Sequence, residues 1–212
     1  MNDHLLRVFI IVMALLYIFV IPNNPLYVKL FFKAIPIVLI IYYAIRQSKR
    51  VRPRVIHYLV VIGLIFSLVG DVTLQWFLIG LSAFLLGHIL YVAGFLTKWR
   101  FSMVLSLAII PISLFGWWMG SNLLGALREN GEELLTVPVF VYIVVISLMC
   151  FLAVMTRNKW AILGSVLFVM SDAILAWNMF IEPVANEGIL VMGAYYAGQF
   201  FIAHSLKGFS SG

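Results

Sequence analysis

Four ionisable side chains lie inside long apolar runs of the sequence, where a charge is costly to keep. They are Lys33, Asp71, His88 and Asp172. A charged group at the centre of a bilayer costs about 2.5–3.5 kcal/mol on insertion scales, so such residues usually carry catalysis or transport. Two carboxyls held away from water suit acid–base chemistry, because one can stay a neutral acid while the other stabilises a cation. The sequence therefore predicts a paired-carboxyl site built on Asp71 and Asp172.

Further polar side chains are expected at a similar depth. Tyr91 follows His88 by three residues and Gln199 follows Tyr195 by four, so each pair shares one face of a helix. Small residues recur four apart on the same two helices, at Ala83 and Gly87 and at Ala194 and Gly198. Such spacing lets helices approach closely, so we expect these polar faces to meet in one interior chamber.

Each of these residues also has a purely structural interpretation. Asp71 is a helix-end residue if the third apolar run stops at Gly70. Lys33 either extends outward to the membrane surface, pairs with Asp71 or contacts a phosphate. A lone His88 is more often a packed, hydrogen-bonded histidine than a ligand. The site prediction therefore depends on whether the acids converge.

The sequence has no recognisable metal or cofactor motif. One histidine and two aspartates on separate helices do not have the spacing of His-Glu-x-x-His or Glu-x-x-His metal sites. Nucleophile elbows, Walker loops and dinucleotide fingerprints are also absent from the sequence. The single Cys150 lies in an apolar run and is expected to pack rather than react. We therefore predict no metal and no cofactor.

The elements that carry these residues follow from composition. The 212 residues are 64% hydrophobic and 10% charged, with a mean hydropathy of +1.10. These charges are too few to cover a water-facing surface, which excludes soluble enzymes, disordered chains and nucleic-acid modules. A helix needs about 20 apolar residues to cross a bilayer. We predict one all-α domain of eight transmembrane helices, near residues 5–21, 26–45, 55–75, 77–96, 101–119, 137–155, 160–180 and 189–206.

The basic residues predict the orientation of this bundle. An even number of spans puts both termini on one side, and eleven of the fourteen Lys and Arg residues fall there: Arg7, Arg46, Lys49, Arg50, Arg52, Arg54, Lys98, Arg100, Arg157, Lys159 and Lys207. Lys29 and Arg128 lie on the opposite side. By the positive-inside rule both termini face the cytoplasm, and we expect a bacterial inner membrane. The net charge of +6 then reflects topology and contact with membrane lipids, not nucleic-acid binding.

The two halves of the chain share a short echo. Gly70-Asp71-Val72-Thr73-Leu74 in the third span matches Ser171-Asp172-Ala173-Ile174-Leu175 in the seventh as small-Asp-x-x-Leu. With four spans in each half, the two copies would cross the membrane in the same direction. This pattern predicts a weak 4+4 parallel repeat with one acid in each half.

Five ordered motifs resemble those of the lysoplasmalogenase family, also called the YhhN-type family of multi-span membrane proteins. They are Phe32-Lys33-Ala34-Ile35-Pro36, residues 67–74, 83–91 and 163–172, and Tyr195-Tyr196-Ala197-Gly198-Gln199. The fifth and sixth spans have no matching motif. The resemblance implies eight helices and hydrolysis of the vinyl ether bond of a lysoplasmalogen, which yields a fatty aldehyde and glycerophospho-ethanolamine or glycerophosphocholine. It marks Asp71 and Asp172 as catalytic acids, supported by Lys33, His88, Tyr91, Tyr195 and Gln199.

The implied reaction agrees with two buried carboxyls. Protonation of the β-carbon of a vinyl ether leaves an oxocarbenium ion, and added water gives a hemiacetal that collapses to aldehyde and alcohol. We expect Asp172 to donate the proton and Asp71, beside Lys33, to stabilise the cation and activate water. The headgroup of the lysolipid is expected near Asn178 and the Glu-rich loops, so that access is from the extracytoplasmic leaflet. The oligomeric state is not predicted.

A second function class also fits the buried acids. In a transporter for a small solute or proton, Asp71, His88 and Asp172 would form a relay across the membrane. The doubled small-Asp-x-x-Leu pattern favours this alternative, but the two halves do not carry corresponding Gly- or Pro-broken helices. Release of aldehyde from a lysoplasmalogen by purified protein in detergent would distinguish the two classes.

Overall fold

The fold is an all-helical bundle in a computed structural model that describes residues 2–22, 24–50 and 54–209. Arg52 of the predicted basic cluster lies outside these ranges. The helices are α1 (Asp3–Phe19), α2 (Leu26–Arg50), α3 (Val55–Thr73), α4 (Phe77–Leu96), α5 (Met103–Ser106), α6 (Ile109–Glu129), α7 (Thr136–Met155), α8 (Lys159–Phe180) and α9 (Glu187–Ser205). Within the described ranges seven helical segments are long and apolar enough to cross a membrane. The remaining long helix, α1, has 17 residues, the lower limit for a span. The all-α membrane prediction is confirmed.

The start of α1 and the end of α9 lie at one end of the bundle, which we call the terminal face. Asp3 at the start of α1 pairs with Arg46, 3.5 Å away, and with Arg50 near the end of α2. The Tyr43 hydroxyl is 2.7 Å from Nδ1 of His204, near the end of α9. The opposite end, where α2 and α9 begin, is called the distal face. This arrangement is what an even number of crossings requires.

The long helices follow one another around the bundle in the order α1, α2, α3, α4, α7, α6, α8 and α9, and α9 closes the ring against α1. Helix α9 also contacts α2 and α3, so it packs toward the centre. Because lipid is as apolar as the side chains, such a bundle is held by close packing and internal hydrogen bonds. The terminal half is filled with fully buried side chains, among them Ile40, Tyr43, Ile56 and Leu206.

Two helix pairs, α3 with α4 and α8 with α9, pack most extensively, and each crosses at a pair of glycines. A methyl group on Gly63 would lie 3.1 Å from the Gly87 carbonyl oxygen, and one on Gly87 would lie equally close to that of Gly63. In the second pair, a methyl group on Gly164 would lie 2.7 Å from the Gly198 carbonyl oxygen. A methyl group at any of these positions would press on the facing backbone, so glycine is what allows the backbones to approach this closely.

The glycine crossings support the predicted repeat of four helices. Asp71 follows Gly63 by eight residues, and Asp172 follows Gly164 by eight residues. The two crossings occupy corresponding positions, between the third and fourth long helices of each half. Each half of the chain therefore carries its acid about 12 Å beyond a helix crossing, at the usual rise per residue.

The fifth span differs from the predicted 101–119. Its helix is interrupted between α5 and α6, where Pro111 in the first turn of α6 has no N–H to continue the hydrogen bonds of the preceding turn. The helix then runs on through a polar stretch, because Ser121 and Asn122 donate to the Trp118 carbonyl at 2.9 and 2.7 Å. Because these side chains bond within the helix, the polar stretch that suggested a helix end lies in the interior of α6.

Candidate active site

A cavity of about 670 Å³ occupies the distal half of the bundle. All eight long helices contribute to its wall, and most of the lining side chains are apolar. This volume lies in the range of pockets that bind molecules of drug size. Among the predicted site residues, the ones that line it are Lys33, Asp71, Asp172 and Tyr195. The two acids from opposite halves of the chain therefore share one enclosure.

Asp71 is held near the distal end of α3 by two side chains from other helices. Its Oδ1 is 3.1 Å from Nζ of Lys33 on α2, and its Oδ2 accepts a 2.7 Å hydrogen bond from the Tyr195 hydroxyl on α9. Only 3% of Asp71 is exposed. Of the alternatives for Lys33, the structure has the ion pair with Asp71.

The backbone of Lys33 is itself fixed from α9. The Tyr196 hydroxyl donates to the Lys33 carbonyl at 2.9 Å, while the ring of Tyr196 packs edge-on against Tyr17 of α1 with centroids 6.0 Å apart. Tyr195 and Tyr196 thus connect α9 to Asp71 and to Lys33 respectively. The two adjacent tyrosines of the predicted motif therefore each donate a hydrogen bond to one partner of the ion pair.

Asp172 differs from Asp71 in its partners and in its access to the cavity. The Tyr142 hydroxyl on α7 donates to Asp172 Oδ2, and Asp172 is half-buried with no cation paired to it among the described residues. Counting along the helices predicted Asp172 to be the deeper acid. Asp71 is nevertheless the more covered one, because Lys33 and Tyr195 lie against it while Asp172 faces the cavity. Both carboxyls line the same cavity.

Tyr142 is the site residue that sequence reasoning missed. It lies in the sixth span, which has no recognised motif, and its hydroxyl meets an acid 30 residues away in the chain. The available signal was that it is the only tyrosine of that apolar run. Tyr142 also lines the cavity, so its hydroxyl lies beside the space that a substrate would fill.

Three of the predicted supporting residues lie behind the cavity wall. The Tyr91 hydroxyl donates to Gln199 Oε1 at 2.8 Å, and both residues are buried. His88 packs edge-on against Phe168 and Tyr142, with ring centroids 4.6 and 5.2 Å away. Its nitrogens are buried without a hydrogen bond of normal geometry to the described residues. His88 therefore touches the site through the ring of Tyr142.

Asn178 serves the loop between α8 and α9. Its Oδ1 accepts a 2.9 Å hydrogen bond from the backbone N–H of Val184, and it is not part of the cavity lining. The structure therefore does not place Asn178 in the cavity wall, where it was predicted to contact a headgroup. Among the described residues there is no cluster of three or more His, Cys, Asp or Glu side chains that could hold a metal ion.

The YhhN family model matches residues 28–206. The chain belongs to the YhhN family. Its family assignment from five ordered motifs is confirmed, and the matched region contains Lys33, Asp71, Tyr142, Asp172 and Tyr195.

Curated relatives of this YhhN protein carry an enzyme name. Lysoplasmalogenase TMEM86B of Sus scrofa is 32% identical over 152 residues, which cover 68% of this chain and 62% of that protein. The Homo sapiens protein of the same name is 29% identical over 147 residues, covering 68% and 61%. A lysoplasmalogenase of Mycobacterium tuberculosis is 29% identical over 145 residues, covering 61% and 52%. The chain thus spans about three fifths of the length of the first two relatives. No solved structure matches significantly, and none of the comparisons supports the transporter alternative.

Proposed function

We propose that this protein hydrolyses the vinyl ether bond of a lysoplasmalogen-like lysolipid, releasing a fatty aldehyde and the glycerophospho-alcohol. The observation that carries the proposal is the shared apolar cavity of Asp71 and Asp172. Membership of the YhhN family and relatives named lysoplasmalogenase add support. The proposal needs no metal or cofactor, since acid and water complete the reaction.

In the first step, Asp172 donates its proton to the β-carbon of the vinyl ether. Its half-buried carboxyl faces the cavity, and Tyr142 engages only Oδ2. The other oxygen, Oδ1, is then free to carry the proton toward the substrate. As the proton leaves, Asp172 becomes an anion, and the hydrogen bond from Tyr142 stabilises that charge. The product of this step is an oxocarbenium ion.

In the second step, Asp71 stabilises the cation and removes a proton from the attacking water. Lys33 and Tyr195 hold Asp71 as an oriented carboxylate through its two oxygens. Water adds to the oxocarbenium carbon and forms a hemiacetal. Protonated Asp71 then gives its proton to the glycerol oxygen as the C–O bond breaks, and the hemiacetal hydroxyl gives its proton to the Asp172 anion. The products are aldehyde and alcohol, and both carboxyls return to their starting states. The division of work resembles that of the paired carboxyls at glycosidic bonds.

The shape of the cavity favours a substrate with one long apolar tail. Phe115 on α6, Ile146 on α7 and Val169 on α8 line its part nearer the terminal face. From the reacting carboxyls this apolar end lies toward the middle of the membrane, and the polar end lies toward the distal face. We infer that the lysolipid binds tail inward, that it enters from the distal leaflet, and that the terminal face is cytoplasmic in a bacterial inner membrane, as the basic residues indicate.

The experiment is release of aldehyde from lysoplasmenyl-ethanolamine and lysoplasmenyl-choline by the purified protein in detergent. Wild-type protein should release aldehyde, and Asp172→Asn should lower kcat by about 10²- to 10⁴-fold, the usual contribution of a general acid. Glu129→Gln, which alters an exposed carboxyl at the end of α6, is the matched control and should keep wild-type activity. Asp172→Asn protein with more than about a tenth of wild-type activity would contradict the assigned role.

A further inference from the structure

Two charged side chains line the cavity on the distal side of the carboxyl pair, and they have opposite signs. Lys29 on α2 and Glu187 at the start of α9 are both half-buried and both belong to the cavity wall. Neither forms an ion pair with any of the residues that the structure describes. Two unpaired opposite charges in one largely apolar wall require an explanation, because isolated charges in such surroundings are costly.

The relative depth of the two charges follows from the register of α2 and α9. The helices run parallel from the distal face, and two hydrogen bonds fix how they align. Tyr196 donates to the carbonyl of Lys33, and Tyr43 meets His204 nearer the terminal face. The sequence offsets of these two contacts, 163 and 161 residues, differ by two residues, which is about 3 Å along a helix. The alignment therefore holds between these two contacts, and we extend it by the helical rise to Lys29 and Glu187.

This register orders the charges along the cavity. Lys29 precedes Lys33, the partner of Asp71, by four residues, which is about 6 Å toward the distal face. Glu187 precedes Tyr196, which is level with Lys33, by nine residues, which is about 13 Å. Moving outward from the carboxyl pair, the wall thus presents a positive charge and then, about 7 Å further, a negative charge.

A zwitterionic lysophospholipid carries its charges in the complementary order. Beyond the vinyl ether come the glycerol, the anionic phosphate and, after a short ethylene link, the cationic amine. With the ether at Asp71 and Asp172, the phosphate comes level with Lys29 and the amine comes level with Glu187. Charge-assisted contacts of this kind are stronger than neutral hydrogen bonds.

We propose that Lys29 and Glu187 form a headgroup subsite, in which Lys29 binds the phosphodiester and Glu187 binds the ammonium group of ethanolamine or choline. The subsite rests on the proposed function for its substrate, because the ether must lie at the carboxyl pair. It assigns headgroup recognition to the starts of α2 and α9 instead of to Asn178. It also makes the amine, and not only the phosphate, a determinant of affinity.

Binding of saturated 1-O-alkyl analogues tests the subsite without hydrolysis. Three probes with the same alkyl chain are compared in detergent by calorimetry: an alkyl-lysophosphocholine, an alkyl-lysophosphate without the amine, and an alkylglycerol without phosphate. Lys29→Gln should weaken the two phosphate-bearing probes by about 3- to 10-fold and leave the alkylglycerol unchanged. Glu187→Gln should weaken the phosphocholine probe alone by a similar factor.

Matched controls and a separate readout keep the outcomes distinct. Lys49→Gln and Glu129→Gln alter exposed charges and should leave all three affinities at wild-type values. The subsite is refuted if Lys29→Gln or Glu187→Gln weakens all three probes equally, or weakens none. Because the probes have no vinyl ether, these results do not depend on turnover. Failure of the wild-type protein to release aldehyde from lysoplasmalogens would refute the proposed function even with the binding pattern intact.

Discussion

Replacing Tyr142 by Phe removes one hydroxyl and keeps the ring that packs against His88. That hydroxyl donates to Asp172, so the free energy that this hydrogen bond contributes changes when Asp172 loses its proton. A hydrogen bond between neutral groups contributes about 0.5–1.5 kcal/mol, and one to a charged group about 1.5–3 kcal/mol. The increase of about 1–2 kcal/mol arises only as Asp172 becomes an anion. Tyr142→Phe should therefore lower kcat by about 5- to 30-fold.

The assay is steady-state aldehyde release, with kcat and KM determined separately. Because the lost interaction forms mainly at the transition state, KM should change by no more than about twofold. Tyr58→Phe removes a hydroxyl from an exposed tyrosine of α3 and should match wild type. A Tyr142→Phe enzyme with wild-type kcat, or one whose only defect is a raised KM, would refute the role given to this hydrogen bond.

Two further substitutions test the ion pair and the helix crossing. Lys33→Met leaves Asp71 buried without its cation, so the free energy of unfolding in detergent should fall by about 3–5 kcal/mol. Adding Asp71→Asn to this variant should restore stability but not aldehyde release, and a double variant as unstable as the single one would contradict the pairing. Gly164→Ala puts a methyl group 2.7 Å from the Gly198 carbonyl oxygen, so it should lower the free energy of unfolding by about 1–3 kcal/mol. Gly125→Ala, with nothing within 4 Å of the new methyl group, should have a melting temperature equal to or above that of the wild type, because alanine is the better helix former. Equal melting temperatures for the two variants would contradict the close crossing.

Four of the polar residues that line the cavity could be predicted from the sequence, but Tyr142 could not. His88, Tyr91 and Gln199 were expected in the same chamber and lie behind its wall. Lys33, Asp71 and Asp172 could be identified because a charged side chain within an apolar run is conspicuous in the sequence. Tyr195 could be identified because it shares a helix face with Gln199 in a recognised motif. The small residues beside them indicated which helices approach closely, and the glycine crossings bear out that logic. Because both acids lie toward the distal ends of helices that run in the same direction, they line the same cavity.

What the sequence did not reveal depends on contacts between distant helices. A tyrosine in an apolar run looks like any packed aromatic residue, so Tyr142 has no local signal that points to Asp172. Asn178 looked like a polar group at the wet end of a span, yet a loop N–H uses its oxygen. The extension of α6 depended on Ser121 and Asn122 bonding back to the helix. In each case the outcome depends on which hydrogen-bond partner the polar group has in the folded structure.

The most direct test of the central claim is a double-mutant cycle on aldehyde release with Asp71→Asn, Asp172→Asn and the variant carrying both. If the two carboxyls act as one unit on one substrate, each single change should lower kcat by at least about 10²-fold. The double variant should then be scarcely worse than the weaker single one, because residues of one catalytic unit are strongly non-additive. Losses that multiply, or a single variant that keeps near-normal turnover, would contradict a shared active site.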